Sequence, residues 1–166
     1  MSIITNWWPD PRFRHTERFK LTNCKILGAQ PGDLSIQLVR TAAGISVAAL
    51  DLTGLPSGYT FVIACRNNIK ADLTNACLNV FDATGVNPLI NDGISGVPVG
   101  GGVSGEFTIP SDGRIQAKLR APGTVGGNWW LASIFLGTPL DYRNLVKTLG
   151  ADGVFRSFAG DTRPTT

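Results

Sequence analysis

The sequence predicts an all-β protein, an antiparallel jelly-roll β-sandwich with one short helix near the C-terminus. Three observations carry this expectation. Twenty glycines and ten prolines in 166 residues interrupt the chain too often for long helices. Roughly eight or nine short apolar segments recur at about ten-residue spacing, with turn residues between them. Several of those segments alternate apolar and polar residues with a period of two, as half-buried strands do. A coiled coil, a collagen and a helical bundle are excluded on the same grounds.

The elements follow in order. Residues 1–17 read as an N-terminal extended segment, and 18–166 as a single sandwich domain. Arg18–Leu27 alternates as one strand, and Leu34–Arg40 does so again, with Leu34, Ile36 and Leu38 on one face. Ile45–Leu52 is more continuously apolar, as expected for a strand covered on both sides. After the turn Leu55-Pro-Ser-Gly58, Tyr59, Phe61, Ile63 and Cys65 share a face, and Cys77–Phe81 is a further short strand. Residues 85–105 hold seven glycines and read as a long loop that is poorly packed over 86–104. Glu106–Ile109 restores order, and Pro110-Ser-Asp-Gly113 is a turn. In Arg114–Arg120, Ile115, Ala117 and Leu119 point inward while Arg114, Gln116, Lys118 and Arg120 point to water. Asn128–Leu136 reads as a buried strand. Leu140–Gly150 reads as the helix, with Leu145 and Leu149 one turn apart and Gly150 as its stop.

A chain of 17.6 kDa fits one domain, which buries roughly 70% of its unfolded surface and needs no metal or disulfide to fold. Hydrophobic residues make up 43% and charged residues only 16%, with a mean hydropathy of +0.09, which places it among globular proteins. The net charge of +3 is a weak basic bias, so nucleic acid is not an expected partner. No apolar run is long enough for a membrane span, and the first residues lack the pattern of a signal peptide. Synthesis in a cytoplasm is therefore expected, with no membrane partner. Cys24, Cys65 and Cys77 are widely spaced in apolar segments and read as small buried hydrophobes. No CxxC or Cys/His cluster is present, so neither a metal nor a cofactor is expected.

The residues for catalysis are sparse. The one histidine, His15, lies in a polar segment and reads as a surface residue. Glu17 and Glu106 are the only glutamates, and Asp33, Asp82, Asp92 and Asp112 sit in turns, where aspartate caps the backbone. Those aspartates form no calcium-loop pattern. Gly100-Gly-Gly-Val-Ser-Gly105 satisfies a dinucleotide-binding spacing, yet it leads into a strand and not a helix. The expectation is a protein that is not an enzyme, the rival being a glycan-cleaving enzyme with a concealed carboxylate pair.

All four tryptophans come as neighbours, Trp7-Trp8 and Trp129-Trp130. In extended chain neighbours face opposite ways, so one of each pair should be buried and the other turned outward. An outward indole stacks on a sugar ring or anchors a protein interface. On that reading the four are the candidate carbohydrate- or partner-binding residues, and the pairs approach each other. The alternative is that both pairs fill the core and cover its edge.

Several segments resemble a known family. Asn6-Trp-Trp-Pro-Asp-Pro-Arg-Phe13, Leu55-Pro-Ser-Gly-Tyr-Thr-Phe-Val62, the strands around Phe107 and Ile115–Leu119, and the ending Asp141-Tyr…Leu149-Gly…Phe158-Ala-Gly-Asp-Thr162 are similar to carbohydrate-binding-module-like jelly rolls of phage and prophage minor tail proteins. Ala159 departs from the acidic residue often found there. The resemblance implies a bacteriophage virion protein, tail-associated and present in multiple copies, that contacts other virion proteins and host cell-wall glycan. A capsid decoration or head-fibre protein of the same fold is the alternative. A single module of this length is expected to be an accessory virion component.

Overall fold

The computed structural model describes residues 4–30, 35–67, 76–91, 94–95, 102–149 and 161–162. Its strands are β1 (Thr5–Asn6), β2 (Lys20–Thr22), β3 (Cys24–Gln30), β4 (Ser35–Arg40), β5 (Val47–Leu52), β6 (Thr60–Asn67), β7 (Ala76–Asp82), β8 (Ile94–Ser95), β9 (Gly102–Thr108), β10 (Ile115–Arg120), β11 (Asn128–Gly137) and β12 (Asp161–Thr162). One α-helix, α1, spans Pro139–Leu149, and Thr16–Arg18 forms a 3-10 turn. Two five-stranded antiparallel sheets face each other, ordered β2-β5-β10-β7-β8 and β3-β4-β11-β6-β9, while β1 and β12 form a small parallel pair. From β4 to β7, and again from β9 to β11, successive strands alternate between the sheets, which is jelly-roll connectivity.

The core is built from the inward residues that the alternation picked out. Ile36 and Leu38, Phe61, Ile63 and Cys65, and Ile115, Ala117 and Leu119 are all buried in one cluster. The register of β10 is as the sequence indicates: Arg114 and Arg120 are exposed, whereas Ile115 and Leu119 are almost fully covered. Lys118 points outward but is half-buried, because its ammonium lies 4.0 Å from the Phe81 ring centroid and donates to Gly85 O at 2.6 Å. All three cysteines are buried and none is joined in a disulfide. Cys65 of one sheet meets Cys77 of the other, and this contact and burial together push the Cys65 thiol well above its ordinary range.

The structure differs from the sequence reading in several places, each with a local cause. Arg18–Leu27 is not one strand. Asn23 takes a left-handed conformation (φ 47°), which asparagine tolerates better than most residues, and the chain crosses there from one sheet to the other. The corner is held by the Asn23 amide, which donates to Ala43 O at 3.2 Å and Ile45 O at 2.9 Å, and by the Ser46 hydroxyl, which donates to Asn23 O at 2.7 Å.

The glycine-rich stretch is also more ordered than a long loop. Leu89 N donates to Val80 O at 2.8 Å, Phe81 bridges to Pro88, and Leu89 and Ile90 pack on the core. Strand β9 starts at Gly102 and pairs with β6 through Thr108. Residues 92–93 and 96–101, with Leu34, Gly150 and Val154–Phe158, lie outside the described residues. Tyr59 and Ile45 are exposed and precede their strands, while β5 is buried on both faces except at Asp51, which is exposed.

Helix α1 starts one residue earlier than Leu140 because Thr138 caps it. The Thr138 hydroxyl accepts from Asp141 N at 3.1 Å and donates to Asp141 Oδ2 at 3.0 Å, with Pro139 at the first helical position. The helix buries Leu145 against Val62, Ala64 and Phe135, and leaves Leu140 exposed. Phe135 is available to it because β11 carries a bulge. Ser133 has φ 51°, and two residues of β11 lie opposite Cys65 alone. That extra residue reverses the alternation, so Trp129 and Leu131 point into the sandwich before it, as do Ile134 and Leu136 after it.

The N-terminal segment is locked to the end of this bulged strand. Asn6 is fully buried, and its amide donates to Ile134 O at 3.1 Å while its carbonyl oxygen accepts from Trp8 N and Leu136 N, each at 3.0 Å. Trp7 N donates to Leu136 O at 2.6 Å. The approach is so close that a side chain at Gly137 would meet Thr5 O at 2.8 Å. Trp8, Phe13 and Phe19 thereby join the central core.

Replacing Asn6 by Ala leaves two buried N–H groups and one carbonyl without partners, at a cost of about 2–4 kcal/mol. Urea unfolding of Asn6→Ala should show this loss with an unchanged slope. A change no larger than that of an exposed-site control such as Leu140→Ala would show that the segment is not held by this amide.

Candidate functional site

The structure places the four tryptophans as follows. Trp8 and Trp129 are buried in the core, at 0% and 3% exposure. The Trp129 indole N–H donates to Arg120 O at 2.6 Å, which ties β11 to the end of β10. Trp7 is half-buried, its ring 5.8 Å from that of Phe61 and tilted by 57°. Trp130 is half-buried and lies on the outer face of its sheet, opposite Gln37 in the β4 register. Gln37 donates its amide to Asn128 Oδ1 at 3.0 Å beside it. Trp8 and Trp129 share one core cluster, whereas the partly exposed Trp7 and Trp130 lie apart. Trp7 is bonded at Leu136 and Trp130 lies six residues up the same strand, about 20 Å away at ~3.3 Å per residue.

A different set of side chains does converge. On the first sheet, the residues facing away from the core are Lys20 and Thr22 of β2, Val47, Ala49 and Asp51 of β5, Gln116, Lys118 and Arg120 of β10, and Asn79 and Phe81 of β7. The pairings that align them are Lys20 with Ala49, Asp51 with Gln116, Gln116 with Phe81, and Lys118 with Asn79. A polar row crosses all four strands. Lys20 Nζ donates to Asp51 Oδ2 at 2.6 Å, and Gln116 Nε2 donates to Asp51 Oδ1 at 2.7 Å. These two donors, Gln116 first, hold the Asp51 carboxyl below its ordinary range. Lys118 and Phe81 continue the row to the turn at Gly85.

That turn is itself rigidly built. The Asp82 carboxylate accepts from Thr84 N, Thr84 Oγ1 and both nitrogens of Asn87. Hydrogen bonds from Thr84 and then Asn87 hold its pKa down to about 2. Helix α1 packs on β6 and β11, so it covers part of the second sheet's outer face. The first sheet's outer face keeps Lys20, Thr22, Asp51 and Arg120 exposed.

This arrangement presents amide, carboxylate and ammonium groups at fixed spacing beside an aromatic ring. Such a surface can pair with hydroxyl groups and pack against an apolar ring face. It is poorly equipped for bond cleavage, because Asp51 is committed to two donors and is not poised to give up a proton at neutral pH. His15 is exposed, with Nδ1 3.1 Å from Glu17 Oε1. Among the described residues no three His, Cys, Asp or Glu side chains lie close enough together to hold a metal.

No protein family matches the sequence, and no curated protein matches it. Among solved structures, the chain is similar to the enzymatically active domain of tailspike protein 4 of bacteriophage CBA120 (TM-score 0.56, 13% identity, 80% of this chain covered). It spans 21% of that tailspike chain. It is similar as well to the second N-terminal cellulose-binding domain of Cellulomonas fimi β-1,4-glucanase C (TM-score 0.54, 12% identity, covering 83% of this chain and 97% of that one). A carbohydrate-binding module, CBM4, matches with TM-score 0.51 at 8% identity, covering 81% of this chain and 92% of that one. At these identities the likeness is one of fold: the chain has the β-sandwich fold of carbohydrate-binding modules.

One strand of the open face is legible in the sequence as an alternating pattern. Gln116, Lys118 and Arg120 were visible as the polar side of one strand, and Asp51 is the lone charge in an apolar run. Their convergence with Lys20 and Phe81 depends on non-local pairing, which no spacing in the sequence reveals.

The Asp82 turn gives a pH test. Because the folded turn binds the ionised carboxylate, its stabilisation is present above the ordinary value of 3.8 and is lost as pH falls through about 2. NMR titration should place the Asp82 midpoint near that lower value, with the Thr84 and Asn87 amide signals following it. A midpoint at the ordinary aspartate value would mean that the carboxylate does not hold the turn.

Proposed function

We propose that this chain is a non-enzymatic glycan-binding module of a bacteriophage particle, tail-associated, which attaches to host cell-wall glycan and to neighbouring virion proteins. The observation that supports this most is the exposed face of the first sheet, where Lys20, Asp51, Gln116 and Phe81 form a polar and aromatic row on a carbohydrate-binding-module fold. The fold shared with a tailspike domain supports the assignment to a phage particle.

Glycan contact belongs to that face. Of the tryptophans, Trp130 and Trp7 retain accessible ring surface away from it, and they serve contacts with other virion proteins. Trp8 and Trp129 hold the core beneath them. Placement on the capsid, as a decoration or head-fibre protein, would use the same surfaces on a shell, and electron microscopy of labelled particles separates the two locations.

Binding to purified host wall material and incorporation into particles are measured for Gln116→Ala, Asp51→Asn and Trp130→Ala, keeping only variants that fold. Loss of wall binding by about tenfold or more in the first two, with normal incorporation, is the expected outcome, since each removes a hydrogen bond to the ligand. Loss of incorporation in Trp130→Ala is expected on the assembly side. Wild-type wall binding by both face variants would overturn the glycan assignment.

A further inference from the structure

A second site lies where the ends of the two sheets meet. A cleft of about 340 Å³ opens between loop 41–46 and loop 121–127, with Arg40 at the end of β4 on one side and Arg120 at the end of β10 on the other. Its walls are tied together by backbone hydrogen bonds. Ala121 N donates to Ser46 O at 3.0 Å, Arg40 N to Gly127 O at 3.1 Å, and Gly126 N to Arg40 O at 2.9 Å.

The Arg40 guanidinium is fixed by three carbonyls: Nε donates to Ala42 O at 2.9 Å, and the two terminal nitrogens to Pro122 O at 3.1 Å and Gly44 O at 2.5 Å. Carbonyl oxygens orient a guanidinium without neutralising it, and three bonds leave two of its five N–H donors. Arg120 is exposed on the sheet face described above. Among the described residues the ion pairs are His15–Glu17 and Lys20–Asp51, so neither arginine has a carboxylate partner. The cleft therefore carries two cationic forks, one of them immobilised, and among the described residues no acidic side chain lines it. Forked guanidinium groups match the two oxygens of a carboxylate or phosphate. The volume lies near the lower end of the ~300–1,000 Å³ range for small-ligand sites, which suits one sugar unit.

We propose that this cleft binds a single anionic group, the carboxylate or phosphate ester of an acidic sugar. Only the identity of the bearer rests on the glycan reading; the anion site does not. Since Arg120 belongs to both surfaces, a glycan lying along the sheet face would deliver its charged unit to the cleft.

The test is an NMR titration of the isotope-labelled full chain with glucuronate, glucose 6-phosphate, glucose and inorganic phosphate as separate arms, at low and high salt. A charged sugar should shift the amides of residues 42–46, Ala121 and Gly123, and glucose should not. Added salt should weaken the response. Arg120→Gln should lower the affinity about tenfold or more, the loss expected for a charge-assisted hydrogen bond. Its thermal unfolding should match wild type, because the side chain is exposed. A response to glucuronate alone assigns a carboxylate, and one to glucose 6-phosphate alone a phosphate. The proposal is overturned if neither charged sugar shifts these amides, if glucose acts equally, or if Arg120→Gln binds as wild type. Inorganic phosphate binding as tightly as glucose 6-phosphate overturns it too, by leaving a site for an ion only. The sheet-face amides are followed in the same spectra as a separate set. Failure of wall binding and failure of this cleft are thus read separately.

Discussion

The bulge at Ser133 and the Asn6 amide that clamps the strand beyond it form the constraint on which the rest of the structure depends. Without the extra residue, the end of β11 would turn Ile134 and Leu136 out of the core and Phe135 into it. With it, one strand serves two layers, the sandwich interior and the bed of helix α1. Asn6 acts there as a short substitute for a paired strand, supplying one donor and a doubly used acceptor to backbone groups of Ile134, Leu136 and Trp8. The clamp brings Trp8, Phe13 and Phe19 into the core.

Much of this fold was legible in the sequence, for reasons tied to particular residues. The alternation in Ile115–Leu119 and in Ile36–Leu38 is a period-two signal that burial of one face imposes, and the structure keeps both. The helix was legible from Leu145, while its cap at Thr138 was present as Thr-Pro-Leu-Asp. What the sequence hid was every feature where a side chain replaces backbone pairing. Asn23 looks like one more residue of an alternating strand, yet it turns the corner between sheets. Asn6 looks polar, yet it is fully buried. Glycines 102 and 105 look like loop, yet they lie in an edge strand whose order comes from β6.

The candidate site divides in the same way. Tryptophan pairs are conspicuous in a sequence, and extended geometry separates their members: Trp8 and Trp129 are core residues, and Trp7 and Trp130 keep partial access on different surfaces. The polar row Lys20–Asp51–Gln116 is inconspicuous because its members come from three strands that are distant in the chain. Coverage of the second sheet by α1 and exposure of the first give the module two unlike outer faces.

The central claim is that the first sheet's outer face is the ligand surface. The most direct measurement is intermolecular nuclear Overhauser contacts between the labelled chain and an oligosaccharide released from host cell wall. The account predicts contacts from sugar protons to the Phe81 ring and the Gln116 side-chain amide. Contacts confined to the Trp130 indole and the Gln37 amide would contradict it and move the binding surface to the opposite sheet.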